Sequence, residues 1–364
     1  MEILIDRKGL IDEFCELAAI DSLSFQEHVM AGLLTKKLIE LGFEVQEDKA
    51  GNIYGFLPGT IAGAPILFSS HMDTVEPGIG KKSVLHEDGT ITSDGTTVLG
   101  ADDVAGIVEI LWGIRSIKNL PHRSVEVLFT VSEETYSKGI RDFDYSIIKS
   151  KDAYILDLSG DIGSAAVQAP SIVSFNATVK GRAAHAGFEP EKGINALVIA
   201  SKAISGIKLG RVDDDTTVNI GKISGGTATN IVPEECRCVG EIRSQNHKKA
   251  MEQIDKLKAA FEEAVQGTGA QIEFEVLVDL EAYKIDESEP MVQRFANVCR
   301  DMGLSGELVS TFGGSDNNNF VKHGIRGIVI SCAMYNVHSV HEYTKADELV
   351  KGAELVARLV TSES

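Results

Sequence analysis

The stretch PILFSSHMDTV, residues 65–75, joins a short apolar run to a histidine and an aspartate. A short run of apolar residues with polar residues after it is typical of a strand whose two faces are both covered by other elements. Two similar runs follow, SVEVLFTV at 124–131 and AYILDL at 153–158, and DVAGIVEILWGI at 103–114 has the character of a helix between strands. This alternation predicts an α/β fold with a mostly parallel mixed sheet flanked by helices.

Two helices are predicted before that first strand. The earlier one has apolar residues at positions 10, 11, 14, 17 and 18, which share one helical face. Ser24 and Glu27 have the spacing of a capping box, so we expect them to begin the second helix. Gly42 stands where a glycine commonly follows the last helical turn.

The middle of the chain has a different pattern, with strands and helices in the order β-α-β-β-α-β. That order is typical of a ferredoxin-like unit, and about a hundred residues suffice for a compact domain. The α/β pattern then resumes, with a helix near 289–302 and a strand at 327–333. We therefore predict one domain formed by residues 1–170 and 281–364, with a second α+β domain, residues 171–280, inserted into it.

Composition excludes several classes of partner. The chain has 364 residues and a net charge of −19, from 35 basic and 54 acidic side chains. Nucleic acids and anionic membranes bind clustered lysine and arginine, so neither is an expected partner. The five cysteines are scattered, and no apolar run is long enough to span a bilayer. With no disulfide framework or signal peptide apparent, we expect a cytoplasmic protein.

Histidines and acids follow the predicted strands. His71 and Asp73 are two positions apart in an extended segment, so their side chains point the same way. His71 could bind a metal while Asp73 orients its imidazole. A strand-end histidine beside a capping aspartate is the alternative interpretation.

Two acidic pairs allow both functional and structural interpretations. Asp102 and Asp103 precede a helix, where carboxylates are favoured even without a ligand. Glu133 and Glu134 follow a buried strand, where one could bind a metal and the other could accept a proton from water. A solvated acidic turn is the alternative for the second pair.

The remaining candidates complete a set at the carboxyl ends of strands. Asp157 ends the strand AYILDL, and His338 and His341 follow the strand at 327–333. In an open α/β sheet, active sites form at that edge. Mixed histidine and carboxylate ligands suit zinc, or alternatively manganese or cobalt.

Seven motifs in order then resemble one family. They are SSHMDTV, LGADDVAG, SEET, ILDLSG, GRAAHAG, GGSDNNNF and HSVHEY. The chain is similar over essentially its whole length to the peptidase T-like metallopeptidases, within the superfamily of two-zinc exopeptidases, aminoacylases and glutamate carboxypeptidases. The resemblance implies that the inserted domain acts as a lid and dimerisation domain.

The resemblance also implies a role for each matching residue. It makes Glu133 the general base and Asp73 the residue that orients a ligand. The implied ligands of two zinc ions are His71, Asp102 (bridging both), Glu134, Asp157 and His338. His338 rather than His341 is the implied ligand, because the family histidine stands four residues before a glutamate, here Glu342.

Three further matches lie in the inserted domain. His185 corresponds to a histidine that helps hold the substrate carbonyl, and Asn230 and Arg243 match positions that contact substrate. Without the resemblance, His185 would be interpreted as a turn histidine and the other two as ordinary strand-edge polar residues.

The implied activity is zinc-dependent hydrolysis of short peptides, with release of the N-terminal residue of tripeptides as the expected reaction. Alternatives are a carboxypeptidase or an N-acyl-amino-acid deacylase of the same superfamily, and a catalytically dead binding module. Relatives with this insert often dimerise through it. We therefore expect a homodimer, with the hypothesis that His185 reaches the partner's active site.

Overall fold

The computed structural model describes residues 3–362. Its helices are α1 Arg7–Ala18, α2 His28–Glu40, α3 Ala101–Ser116, α4 Ala196–Ser205, α5 His247–Val265, α6 Pro290–Asp301, α7 Asn317–Lys322 and α8 Ala346–Thr361. Its strands are β1 Glu44–Glu47, β2 Ile53–Leu57, β3 Ile66–His71, β4 Ser83–Leu85, β5 Thr90–Ser93, β6 Val125–Thr130, β7 Asp152–Leu158, β8 Ser164–Ala169, β9 Ser171–Lys180, β10 Gly210–Asp213, β11 Thr216–Gly225, β12 Glu235–Ser244, β13 Gln271–Leu280, β14 Tyr283–Lys284, β15 Glu307–Ser310, β16 Arg326–Ser331, β17 Met334–Tyr335 and β18 Tyr343–Lys345.

These elements form two compact units. The first contains the chain up to Gln168, Lys284–Thr311 and the part from Ser315 onward. The second contains Ala169–Tyr283 and Phe312–Gly314. Within the described residues no helix combines the length and apolarity needed to cross a membrane, and all five cysteines are free thiols.

The first unit is built on a nine-stranded mixed sheet, in the order β1-β2-β6-β3-β7-β16-β8-β14 with β15 beside β8. The pairs β6–β3, β3–β7 and β7–β16 are parallel, whereas β1–β2, β2–β6 and β16–β8 are antiparallel. Every residue of β3 and β6 is buried, as expected of central strands that are covered on both faces. The predicted fold class is confirmed.

The sheet register explains how the candidate residues meet. His71 pairs with Thr130 across β3 and β6. Ser69 pairs with Ile155 of β7, so Asp157 lies two residues beyond this pair, level with His71. The ends of three parallel strands therefore bring a histidine, an aspartate and the start of the segment with Glu133 to one edge.

Helix packing covers this sheet. α3 and α8 approach closely at Gly113, where an added Cβ would lie 2.7 Å from the Cβ of Val356. A separate four-stranded antiparallel sheet, β17-β18-β5-β4, was not predicted, because its strands have only two to four residues each.

The second unit is a five-stranded antiparallel sheet in the order β10-β11-β12-β9-β13. Apart from the short edge strand β10, this is the strand order of the predicted ferredoxin-like unit. Helices α4 and α5 pack on the sheet through two apolar clusters centred on Phe261 and Ile254. Each helix has an asparagine N-cap, Asn195 and Asn246, whose side chain accepts a backbone N–H of the first turn.

The predicted capping box of α2 is wrong. The helix begins at His28, and the residue before it, Glu27, makes no side-chain cap hydrogen bond. Ser24 and Glu27 instead bond to groups at the edge where the candidate residues meet. Gly42 does follow the end of α2, with a φ of +94° that favours glycine.

Candidate metal centre

Two overlapping groups of possible metal ligands lie within residues 3–362 of the first unit. One group is His71, Asp102 and Asp157, and the other is Asp102, Glu134 and His338. In each group the ligand atoms all lie within 4.8 Å of one another. All five residues that the sequence predicted as ligands are therefore brought together.

Asp102 joins the two groups because its two carboxylate oxygens face different histidines. Its Oδ1 lies 3.0 Å from Nε2 of His71, and its Oδ2 lies 3.2 Å from Nε2 of His338. The backbone angles of Asp102 and Asp103 depart from helical values, so regular helical geometry of α3 starts only after both aspartates. A carboxylate with one oxygen toward each set of ligands can bridge two cations.

The ring of His71 is oriented with Nδ1 toward Asp73 and Nε2 toward the other candidate ligands. Its Nδ1 lies 2.9 Å from the backbone oxygen of Asp73 and 3.4 Å from the carboxylate of the same residue. Both partners are acceptors, so Nδ1 carries the proton and donates it. Nε2 faces the carboxylate oxygens of Asp102 and Asp157, at 3.0 and 3.9 Å. Without a cation it donates a proton to Asp102, and a metal ion held between these groups would take the place of that proton.

Negative charge is in excess around these histidines. Burial, followed by repulsion from Glu133, raises the pKa of Asp157 well above its ordinary value. Burial also raises the pKa of Glu133 well above its ordinary value, and repulsion from Asp316 and Glu134 adds to the effect. A divalent cation relieves such repulsion, and imidazole nitrogens with carboxylate oxygens are donors that zinc, manganese and cobalt accept. The residues therefore fit a dinuclear metal site.

The adjacent glutamates occupy different positions. Glu134 belongs to the second ligand group, whereas Glu133 belongs to neither. Both open a short 3₁₀ turn, Glu133–Thr135, that follows Ser132 in a left-handed backbone conformation. This turn separates the two carboxylates, so one can bind a metal while the other remains available for a proton.

His338 and His341 are also distinguished by position. Nε2 of His338 lies 3.0 Å from the carboxylate of Glu134. His341 is exposed and belongs to neither ligand group. The structure thus places His338 at the site, in agreement with its spacing from Glu342.

The three predicted substrate residues lie in the second unit. His185 is exposed, in the loop after β9, and its Nδ1 accepts the backbone N–H groups of Gly187 and Phe188. Asn230 is exposed, and its backbone oxygen accepts the N–H of Ala186.

Arg243 lies on β12 and already has partners within that unit. Its guanidinium donates to Glu241 at 2.8 Å and to the backbone oxygen of Phe312 at 3.0 Å. All three nitrogens of its guanidinium therefore donate to partners within the protein itself.

Comparisons with known proteins agree with this geometry. Residues 168–269 match the peptidase dimerisation domain. The uncharacterised protein YqjE of Bacillus subtilis is 40% identical, over 98% of this chain and 99% of its own. A tripeptidase structure from Staphylococcus aureus has a TM-score of 0.94 at 34% identity, covering 98% of both chains. The aminopeptidase PepT structure from Bacillus cereus has a TM-score of 0.89 at 39% identity, again covering 98% of both.

The chain belongs to the peptidase T-like M20 metallopeptidases. It is therefore an enzyme of the peptidase class, a hydrolase of peptide bonds. The family resemblance drawn from the seven sequence motifs is confirmed.

This M20 peptidase has supporting contacts that the sequence did not reveal. Glu342 is buried, and its carboxylate accepts the backbone N–H groups of Gly100 and Asp102 at 2.8 and 2.9 Å. Asp103 accepts hydrogen bonds from the Ser70 hydroxyl at 2.6 Å and from the His71 backbone N–H at 3.1 Å. These bonds fix Asp102 and the end of β3.

The segment before α2 was also missed. Ser24 donates a hydrogen bond of 2.6 Å to the carboxylate of Asp73. Glu27 is buried, and its carboxylate accepts the backbone N–H groups of Phe25 and Ser132, each at 2.9 Å. Ser24 and Glu27 matched a local capping pattern, which gave no indication of partners about fifty and a hundred residues away.

Proposed function

We propose that this peptidase is a two-zinc aminopeptidase that releases the N-terminal residue of tripeptides. The observation that carries the proposal is the Asp102 carboxylate, which presents one oxygen to each of two ligand groups. Two structures similar over 98% of this chain support the substrate class, since one is described as a tripeptidase and the other as an aminopeptidase.

We assign the ligands by their grouping. His71, Asp102 and Asp157 would hold one zinc ion, and Asp102, Glu134 and His338 would hold the other. Manganese or cobalt is compatible with the same donors. When bound, two such ions polarise a peptide carbonyl and make water a better nucleophile near neutral pH.

The chain's own residues supply proton transfer and orientation. Glu133 accepts the proton of the attacking water and returns it to the leaving amine. Asp73 keeps the proton of His71 on Nδ1 and receives the backbone N–H groups of Glu133 and Glu134, at 2.9 and 3.2 Å. One carboxylate thereby orients a ligand and positions the base.

In the second unit we assign substrate contacts to His185, Asn230 and Arg243. His185 would donate to the peptide carbonyl oxygen, and the others would bind the peptide. We propose that this unit, predicted as residues 171–280, acts as a lid and as the interface of a homodimer. The match of residues 168–269 to a peptidase dimerisation domain supports that role. Five unpaired cysteines support a cytoplasmic location.

A substrate screen tests the proposed activity. The zinc-reconstituted enzyme is given trialanine, N-acetyl-trialanine, trialanine amide and dialanine, and the products are identified by mass spectrometry. We expect rapid release of the first residue from trialanine and from its amide, and little cleavage after acetylation. Preferential cleavage of the acetylated peptide at its acyl group, or release of the C-terminal residue, would contradict aminopeptidase action. Absence of cleavage of any peptide would favour a binding module.

Complementation tests whether His185 serves the partner's site. Glu133→Gln and His185→Ala subunits, each impaired alone, are co-expressed, and mixed dimers are confirmed by mass spectrometry. In a two-fold dimer, action across the interface gives one intact site per mixed pair, so about a quarter of wild-type activity returns on random mixing. If no activity returns in confirmed mixed dimers, His185 serves its own chain.

A further inference from the structure

The loop around His185 holds an exposed imidazole in one orientation. Nδ1 of His185 accepts the backbone N–H of Gly187 at 3.1 Å and that of Phe188, also at 3.1 Å. The Phe188 ring stacks on the imidazole, with centroids 4.2 Å apart and planes 21° from parallel. An exposed histidine usually samples several rotamers, whereas this one is fixed by two hydrogen bonds and a ring contact.

The two backbone donors decide the tautomer. An imidazole nitrogen that accepts hydrogen bonds must present a lone pair, so the proton of the neutral ring resides on the other nitrogen, Nε2. Among the described residues, no group bonds to Nε2 of His185. The loop therefore leaves one free N–H donor, pointed away from its own backbone.

The loop itself is anchored to the neighbouring segment. Ala186 donates its N–H to the backbone oxygen of Asn230 at 2.9 Å, and Val232 donates to Ala184 at 2.9 Å. Phe188 nevertheless remains 82% exposed, so little of its apolar surface is buried against the protein. Its described ring contact is the one with His185.

We propose that Phe188, with the backbone N–H groups of Gly187 and Phe188, fixes His185 as a neutral Nε2–H donor for the carbonyl oxygen of the peptide. This inference rests on the proposed function and adds to it a positioning residue, Phe188, that acts through His185. A donor already oriented before substrate arrives loses little freedom at the transition state, where hydrogen bonds to a developing oxyanion are most effective.

The tautomer is tested without any assay of activity. Long-range proton–nitrogen NMR spectra of the zinc-loaded enzyme with ¹⁵N-labelled histidine distinguish a protonated from an unprotonated ring nitrogen. Comparison with the His185→Gln spectrum assigns the signals. At a pH where the ring is neutral, we expect the proton on Nε2 in the wild type and a mixture of tautomers in Phe188→Ala. A wild-type ring protonated on Nδ1 would overturn the inference.

Substitutions of His185 test the same point by kinetics. A glutamine amide places an N–H near the position of Nε2, whereas an asparagine amide reaches only the position of Nδ1. Loss of one oxyanion donor lowers kcat by about 10²–10³-fold, so we expect His185→Ala and His185→Asn to show that loss. His185→Gln should recover a measurable part of it. Equal activity of the Gln and Asn variants would contradict the Nε2 assignment.

Substitutions of Phe188 test the positioning role. Stacked aromatic pairs contribute modestly, so Phe188→Leu should lower kcat by about three- to tenfold with KM nearly unchanged. Phe188→Tyr keeps the stack and should retain wild-type kcat. Leu209→Ala, which removes another partly exposed apolar side chain of the same unit, is the control and should have no effect. A Phe188→Leu enzyme with wild-type kcat and the wild-type tautomer would refute the role of Phe188.

These outcomes are separable from the proposed function. If the wild type cleaves none of the peptides but the NMR spectrum shows the proton on Nε2, the proposed activity is refuted and the orientation of His185 as an Nε2–H donor is retained. If the wild type cleaves trialanine but its His185 carries the proton on Nδ1, the proposed activity is retained and the assignment of His185 as an Nε2–H donor is refuted.

Discussion

The candidate metal centre has two halves that share Asp102 but differ in exposure. The first half is His71, Asp102 and Asp157, and the second half is Asp102, Glu134 and His338. In the first half the side chains of His71 and Asp157 are 2% and 12% exposed. In the second half Glu134 is 8% exposed, but the side chain of His338 is 52% exposed. The first half is built from the ends of β3 and β7 inside the sheet. The second depends on a surface loop in which His338 has a φ of +60°.

From this difference in exposure we expect the two halves to exchange a bound cation at different rates. A buried ligand set with an oriented imidazole binds a cation tightly and exchanges it slowly, because its ligands cannot move apart without disturbing the sheet. A half with an exposed ligand can exchange its cation and can accept a substrate group. We expect the first half to be the more permanent site.

The largest expected effect concerns Glu133, which belongs to neither half. Glu133→Gln should lower kcat by about 10²–10⁴-fold, because an amide of the same shape cannot accept the proton. Its fold and metal content should not change, as measured by circular dichroism and mass spectrometry of bound metals.

A second buried glutamate provides the matched control. Glu109 of α3 is fully buried, burial raises the pKa of its carboxyl well above the ordinary value, and it belongs to neither ligand group. Glu109→Gln should therefore keep wild-type kcat. If Glu133→Gln is as active as Glu109→Gln, Glu133 is not the base.

A chelator should remove the metal ions of the two halves at different rates. With a chelator in excess, we expect a fast loss of one zinc ion from the half with His338 and a slow loss of the other. Saturating metal at about 100 times Kd contributes about 2.7 kcal/mol to the free energy of unfolding, so full removal should lower Tm measurably. In His338→Ala only the slow phase should remain. A single phase in the wild type would remove the distinction between the halves.

Much of the first half was predictable from the sequence, because burying a charged side chain is costly unless it is paired or binds a metal. His71, Asp102 and Asp157 follow strands or precede a helix in an otherwise apolar context, and a parallel sheet brings such strand ends together. The sequence pattern alone left the choice between His338 and His341 open. That choice came from the family spacing, and the structure supports it through the distances of His338 to Asp102 and Glu134.

What the sequence could not reveal are contacts between distant segments. Glu342 bonds to the backbone of Asp102, 240 positions away. Ser24 and Glu27 matched a local capping motif, and their hydrogen bonds to Asp73 and Ser132 depend on how the chain folds back over β3. Local patterns carry no information about a partner that only the tertiary structure supplies.

The two histidines should differ in what their removal costs. His71→Ala leaves buried acceptors of Asp73 and Asp102 without a donor, so we expect the metal-free protein to lose about 1–3 kcal/mol of stability. His338→Ala removes ion pairs with Asp102 and Glu134, but its ring is half-exposed and solvent screens these pairs, so the loss of stability in the metal-free protein should be smaller. Both should lose a metal ion after zinc reconstitution, counted by mass spectrometry.

His341→Ala is the matched control for both histidines, since His341 is exposed and outside the ligand groups. It should bind as much zinc as the wild type. Loss of metal in His341→Ala with retention in His338→Ala would move the ligand to His341.

The smallest expected effect tests whether the segment before α2 supports the buried half. Ser24→Ala removes one hydrogen bond to the carboxylate of Asp73. The other contacts of that carboxylate remain, with His71 and with the backbone N–H groups of Glu133 and Glu134. A bond of this kind contributes about 1–1.5 kcal/mol, which corresponds to about a five- to tenfold loss in kcat if Asp73 positions the base.

Ser150→Ala is the control, because Ser150 is a buried serine whose hydroxyl has no hydrogen-bond partner. Since Ser24 acts on the residue that holds both His71 and the Glu133 turn, its loss should lower kcat while both zinc ions stay bound. A Ser24→Ala enzyme that loses zinc at unchanged kcat per bound metal would show that the segment supports ligand binding alone. Equal kinetics and zinc content in both serine variants would show that the conformation of Asp73 is set by its backbone partners, without help from the segment before α2.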